Sequence, residues 1–172
     1  SICKLDNEHF ISGSDDRTLK LWNINRPECL RTFRGHGSFV KSIATMSGGR
    51  FLSGSRDRKI KLWQTSSDQC VRTFDGHDDV VAAIVSLDSK LFVSGSHDKS
   101  IRCWNAKTGE CVRTMTGTGP IKTLAVVSDN SRNVDSLIVS GDDKSIRLWD
   151  VLNGACRHEF DCSVSIFSLT SI

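Results

Sequence analysis

An all-β architecture built from about four repeated, four-stranded sheets is expected here, on three observations. One pattern recurs along the whole chain: Phe10 to Trp22 (FISGSDDRTLKLW), Phe51 to Trp63 (FLSGSRDRKIKLW), Phe92 to Trp104 (FVSGSHDKSIRCW) and Ile138 to Trp149 (IVSGDDKSIRLW). Each copy is made of short runs rich in β-branched and aromatic residues, punctuated by polar turns. No stretch carries convincing helical periodicity. The tryptophans at 22, 63, 104 and 149 are 41, 41 and 45 residues apart. The last interval is longer mainly through a polar insertion around Ser128 to Asp135, and the last copy lacks one residue between its Gly and its Trp.

The elements follow in order within each copy. Phe51-Leu52-Ser53 and Ile60 to Trp63 read as strands, with the polar turn Gly54 to Lys59 between them. A turn follows each Trp, as at Ala106 to Gly109, and then a strand such as Cys111 to Met115. A Gly-His loop (Gly35-His36, Gly76-His77) leads to a further apolar strand, as at Val80 to Val85. The copies span about 1–34, 35–75, 76–116 and 117–161, with 162–172 as the first strand of a further or closing unit. A lone sheet of this kind has two apolar faces and cannot bury both. Stacking copies about an axis solves the problem and predicts a β-propeller region over 1–172.

Composition agrees with a folded domain and excludes several classes. The 172 residues are 38 % apolar and 25 % charged, too apolar for a disordered chain. Lys plus Arg is 23 against 20 for Asp plus Glu, a net +3 that predicts neither nucleic-acid nor membrane binding. The longest apolar run, Val80 to Val85, is far short of the roughly 20 residues of a membrane helix. The opening residues mix charged with apolar side chains, unlike a secretory signal. The chain starts with Ser1, which suggests part of a longer protein over a processed product.

The period, the Gly-His pairs and the Trp-Asp type of ending resemble the WD-repeat propeller family. Only Trp149-Asp150 is a true Trp-Asp pair; the others are Trp22-Asn23, Trp63-Gln64 and Trp104-Asn105. The resemblance implies a buried hydrogen-bond network of His, Ser, Asp and Trp in each blade. Copy two would use His36, Ser53, Asp57 and Trp63, and copy three His77, Ser94, Asp98 and Trp104. Copy four would use Ser140, Asp143 and Trp149, with Thr118 where His is expected. Copy one would use Ser12, Asp16 and Trp22. These are also the residue types of a Ser-His-Asp hydrolase. A triad occurs once, however, whereas these residues recur with the period of the fold, and no G-x-S-x-G elbow is present. A structural network, no catalytic residue and no enzyme are therefore expected.

No cofactor or metal site is expected either. There are seven cysteines, an odd number with no C-x-x-C pair. Cys29, Cys70, Cys111 and Cys156 each lie seven residues after their Trp, so they fall on separate repeats, too far apart to share a bridge or a metal. Together with Cys103, which replaces a repeated Leu, they read as buried small hydrophobes. This usage points to a reducing compartment, cytoplasm or nucleus.

Two rows of cations share the repeat phase: Arg31, Arg72, Arg113 and Arg157, and Lys20, Lys61, Arg102 and Arg147. Edge protection of the outer strands accounts for them better than a basic belt for an acidic partner. Partners are expected on the loops, and the expected function is a scaffold for other proteins or peptides. In the family, the face carrying the Gly-His loops and the Asp turns is a frequent docking surface. Here it would display Phe39, Lys41, Arg56, His97 and Lys122, with Arg58, Lys99 and Lys144. Phe39 is placed either as an interface anchor or as a half-buried loop residue like its counterpart Val80. Relatives that recognise phosphorylated degrons within F-box ubiquitin ligases carry basic residues at the positions of Lys41 and Arg56, which makes a phosphopeptide-reading substrate receptor the alternative function. Ala82 matches Lys41 in copy three, and Asp75, Asp78 and Asp79 make that rim acidic, so such a pocket is half formed.

Ser1, Ser42, Ala83, Thr123 and Ser168 occupy one phase, so the chain starts and stops within the same strand. Two explanations follow. Either Ser163 to Ile172 supplies the innermost strand to the sheet of residues 8 to 34 and closes a small ring, or the chain is an arc of a larger one. An open arc exposes apolar sheet faces, and would self-associate or take its missing blades from the same or another polypeptide.

Overall fold

A computed structural model of the chain describes residues 1–127 and 137–169. The polar insertion around Ser128 to Asp135 lies outside the described residues. Sixteen strands form four antiparallel four-stranded sheets, each in simple sequence order, with no helix among the described residues. The first sheet contains β1 (Ile2–Lys4), β2 (His9–Gly13), β3 (Leu19–Asn23) and β4 (Arg26–Phe33). The second contains β5 (Val40–Met46), β6 (Arg50–Ser55), β7 (Ile60–Gln64) and β8 (Cys70–Phe74). The third contains β9 (Val81–Ser86), β10 (Leu91–Ser96), β11 (Ser100–Asn105) and β12 (Cys111–Thr116). The fourth contains β13 (Thr123–Val127), β14 (Leu137–Gly141), β15 (Ser145–Asp150) and β16 (Ala155–Asp161). The chain divides into two compact units, Ser1–Val81 and Ala82–Ile172.

The same register repeats in every sheet. Phe10 faces Trp22, Phe51 faces Trp63, Phe92 faces Trp104 and Ile138 faces Trp149. Each Trp pairs across the next strand with its repeat-phase cysteine, at a register shift. The bulge bends the outer strand there, where the residue opposite the indole slips by one. In the first three sheets the turn before the third strand holds a non-glycine residue in the left-handed region: Arg17, Arg58 and Lys99, with φ near 70°. The fourth copy is one residue shorter at this turn and has no such residue.

The core lies between sheets. In the first unit Ile11, Leu19, Leu21 and Phe33 pack with Val40, Ile43, Phe51 and Trp63. Phe33 meets Phe51 edge-on at 4.9 Å between centroids and Trp63 at 5.7 Å. In the second unit Cys103, Met115 and Ile121 pack with Leu124, Ile138 and Trp149. A glycine at the end of the second strand lets the next sheet in. A Cβ on Gly13 would stand 2.6 Å from Val40, and one on Gly95 would stand 2.5 Å from Ile121. Val40 and Ile121 each donate a backbone bond to the carbonyl just past that glycine, on Ser14 and Ser96.

Residues 162–169 repeat this entry step. Ile166 N–H donates to Asp142 C=O at 3.0 Å, and its side chain lies where a Cβ on Gly141 would be 2.7 Å away. Ile166 thus takes the place of Val40 and Ile121, and Phe167 the place of Lys41 and Lys122. In the first sheet β1 pairs with β2, through Ile2 with Ser12 and Lys4 with Phe10.

Candidate functional site

The repeated polar residues are consumed by architecture. His36 sits after β4 with its side chain fully buried, and Nδ1 lies 2.8 Å from Asp57 Oδ2. Its Nε2 is 2.6 Å from Ser53 Oγ, which also accepts the Trp63 indole N–H at 2.8 Å. These partners set the tautomer: Nδ1–H donates to the carboxylate, and Nε2 accepts the hydroxyl hydrogen that the indole leaves free. Burial works to raise the Asp57 pKa, but the hydrogen bond from His36 and the N–H groups of Gly37 and Lys59 bring it down to about 2. Nothing in this chain of bonds activates a nucleophile, because the serine oxygen is held by the indole inside the sheet.

Equivalent pieces stand in the other sheets. Trp22 donates to Ser12 at 2.9 Å, Trp104 to Ser94 at 2.8 Å and Trp149 to Ser140 at 2.8 Å. Asp98 accepts the Ser100 N–H and hydroxyl, as Asp16 accepts those of Thr18. His77 is buried at the end of the first unit.

The fourth sheet departs from expectation. Its buried turn carboxylate is Asp142, not Asp143: Asp142 is 3 % exposed and accepts N–H bonds from Lys144 and Ser145. The turn is one residue shorter, so the carboxylate that faces the sheet comes one position earlier. Asp143 is 44 % exposed and pairs with Lys122 and the Ser165 hydroxyl. In place of an imidazole the network uses Arg147, which is buried and reaches Asp142 at 2.7 Å, Thr118 at 2.5 Å and Glu159 at 2.5 Å. Thr118, short where His36 is long, leaves the space that the guanidinium fills. Burial works against the Arg147 charge, and the two carboxylates more than restore it, holding its pKa above the ordinary value.

Two further readings are corrected. Of the repeat-phase cysteines none is buried: Cys29, Cys111 and Cys156 are exposed and Cys70 half-buried, because they lie on outer strands. Only Cys103 is buried, and desolvation pushes its thiol up to about 11. Arg157 does not share the phase of Arg31, Arg72 and Arg113; across the bulge that place belongs to His158, opposite Leu148. Arg157 instead pairs with Asp150.

What the fold does not consume gathers on the loops of the first unit. The Arg56 N–H donates to Phe39 C=O at 2.9 Å, and Ser55 Oγ to Ser38 C=O at 3.0 Å, so two loops are clamped together. Phe39, half-buried, is held between two cations: Lys41 Nζ lies 5.3 Å and Arg56 Cζ 5.8 Å from the ring centre. Lys41 also reaches Asp15, exposed on the neighbouring turn, at 3.3 Å. The structure therefore brings Phe39, Lys41 and Arg56 into one patch. His97 and Lys122 lie in the second unit, both half-buried. Lys122 is engaged by Asp143 and sits 4.5 Å over the Phe167 ring. Sequence reasoning missed Asp15 and Phe167 as neighbours of these lysines, and Arg147 as a buried group.

Comparison with known proteins agrees with this repeat-by-repeat geometry. The family described as WD domain, G-beta repeat matches residues 1–23, 27–64, 68–105 and 109–150. The chain belongs to the WD40 repeat family. WD40 repeats serve in general as protein-interaction scaffolds, and this chain is a WD40 scaffold at that level of description. A curated relative, WD repeat-containing protein pop2 of Schizosaccharomyces pombe (strain 972 / ATCC 24843), is 38 % identical over 40 residues. That stretch is 23 % of this chain and 6 % of the relative.

Proposed function

We propose that the chain is a non-enzymatic platform for protein–protein contacts and that Phe39, Lys41 and Arg56 form a docking patch for an acidic peptide segment. The observation that carries the reading is the convergence of two cations on one aromatic ring at the loop face. The Ser, His and Asp side chains, by contrast, are spent inside the sheets. A ring flanked by cations offers an apolar anchor and a charge-selective rim, as interface hot spots do. Such a role suits a reducing compartment, cytoplasm or nucleus, which cell fractionation checks directly. The decisive experiment is affinity capture with mass spectrometry, comparing the wild type with the Lys41→Glu/Arg56→Glu double variant. Loss of the same partners in the double variant supports the patch; an unchanged partner set refutes it.

A second reading rests on the same pair of cations. Lys41 and Arg56 could hold one phosphate between them, as in a substrate receptor that recruits phosphorylated segments to a ubiquitin ligase. The Lys41–Asp15 pair is solvent-exposed and worth little, so an incoming phosphate could displace Asp15. A phosphopeptide that binds no tighter than its unphosphorylated twin ends this reading and leaves the acidic-peptide one standing.

A further inference from the structure

The fold leaves the two cations of the Phe39 patch in different states. The Arg56 guanidinium rests beside the ring, and no carboxylate pairs with it among the described residues. Lys41, near the start of β5, reaches across to Asp15 Oδ1 at 3.3 Å, on the turn between β2 and β3. Asp15, Arg56 and His97 hold the same place in their turns, just before Asp16, Asp57 and Asp98. The place that carries a cation in the second sheet thus carries a carboxylate in the first.

The backbone of Asp15 is fixed, and its side chain takes no part in fixing it. Ser14 N–H donates to Thr18 C=O at 3.1 Å and Arg17 N–H to Ser14 C=O at 3.2 Å, which closes the turn. Ser14 Oγ accepts the Asp16 N–H, and Asp16 Oδ1 accepts the N–H and hydroxyl of Thr18. Val40 N–H donates to Ser14 C=O at 3.1 Å, so the turn is also tied to the strand that carries Lys41. The Asp15 side chain enters none of these bonds; it is 67 % exposed and pairs with Lys41. The carboxylate is therefore dispensable to the turn, yet held beside the ammonium at a high effective concentration.

We propose that Asp15 is a tethered competitor for Lys41, and that it makes the patch selective for a pair of acidic residues over a single one. The inference rests on the docking reading above. A first carboxylate of an incoming segment meets Arg56, which is open. A second displaces Asp15 from Lys41 once the first has brought it to the site. An isolated carboxylate gains little at Lys41, because it exchanges one exposed ion pair for another. Both cations flank one ring, so the span between them is shorter than the two ring distances combined, 5.3 Å and 5.8 Å. Acidic residues at i and i+2 of an extended segment point to the same side, about 7 Å apart, and fall within that span. The ligand class is an extended peptide bearing an acidic-x-acidic pair.

The test uses the full chain and two synthetic peptides, Gly-Ser-Thr-Glu-Thr-Glu-Thr-Ser-Gly and the same peptide with its second Glu replaced by Gln. Each is titrated by NMR at about 0.15 M salt, where diffuse charge effects are screened. The paired peptide is expected to bind the wild type with a Kd below about 1 mM, at least about threefold tighter than the single-Glu peptide. Asp15→Asn keeps the shape of the side chain and should tighten the paired peptide about two- to fivefold, the worth of one exposed ion pair. That gain should vanish in the Lys41→Ala background, where Asp15 has nothing to compete for. Equal affinity for the two peptides, no gain from Asp15→Asn, or a gain that persists without Lys41 overturns the inference; the patch itself still stands if Lys41→Glu/Arg56→Glu abolishes binding. Binding that survives the double variant, or no binding to the wild type, overturns the patch and the inference with it.

Discussion

Removing the Asp57 carboxylate should expose what the buried network contributes. Asp57→Ala takes away the acceptor of the His36 Nδ1–H at 2.8 Å, the Gly37 N–H at 2.7 Å and the Lys59 N–H at 3.0 Å. The His36 side chain is fully buried and its donor finds no water, so that loss alone costs about 1–3 kcal/mol. The two backbone donors lie near the surface and recover part of their bonding from solvent, adding roughly 1 kcal/mol together. A total of about 2–4 kcal/mol lowers the melting temperature by roughly 4–16 °C in a chain of this size. Asp16→Ala removes an exposed carboxylate that serves Thr18 and Ser14, and Asp143→Ala one that serves Lys122 and Ser165 near the surface. Each should lower the melting temperature clearly less than Asp57→Ala does. Differential scanning calorimetry of the three variants decides the matter. Equal losses at Asp57, Asp16 and Asp143 would refute the reasoning, because burial of the imidazole is the term that separates them.

Four further outcomes follow from the same geometry. The Asp57 carboxyl has a folded pKa of about 2 against 3.8 unfolded, so between those values the unfolded chain binds more protons; stability is fully present above 3.8, falls as pH drops toward 2, and this component vanishes in Asp57→Asn. Denaturant melts across that window check it. Gly95→Ala forces a Cβ to 2.5 Å from the buried Ile121 and should lower stability by about 1–3 kcal/mol in urea unfolding. Arg147→Ala strips the buried Asp142 of its cation and should cost roughly 3 kcal/mol, read as a thermal midpoint lower by about 6–12 °C. Arg58→Gly relieves a left-handed non-glycine residue and should raise stability by up to about 1 kcal/mol, provided the turn is unchanged in NMR spectra.

Sheet order and register were legible because the repeat copies itself: the same Phe-to-Trp spacing in three of four copies can only serve the same pairing. The network of the second sheet was legible for the same reason, through His36, Ser53, Asp57 and Trp63. Legibility failed where a copy departs from its siblings. A deletion of one residue after Gly141 leaves both Asp142 and Asp143 as candidates, and Asp143-Lys144-Ser145 imitates Asp98-Lys99-Ser100 in sequence while Asp142 holds the place in space. The signal was there in the shortened turn, since losing the left-handed residue removes the extra step that Arg17, Arg58 and Lys99 provide. The cysteines misled for another reason. A phase shared by four repeats marks equivalent positions, and on an outer strand equivalence says nothing of burial.

The departures are informative about function in a way the shared residues are not. In the second sheet, the histidine, carboxylate, hydroxyl and indole close on themselves. Where the histidine is replaced by Thr118, the space is refilled by Arg147, a cation whose counterparts Lys20 and Lys61 lie at the indole ring or on a threonine of the next strand. Recruiting that cation inward also takes Glu159 out of play. The fourth sheet thus spends its charges on its own interior, and Lys122 is likewise engaged by Asp143. In the first unit, the Arg56 guanidinium lies beside the Phe39 ring with no carboxylate paired to it among the described residues, and the carboxylate that reaches Lys41 is the exposed Asp15. Charge that the fold has not neutralised is what a partner can still pay to use, which is why the patch around Phe39 carries the functional reading and the fourth sheet does not.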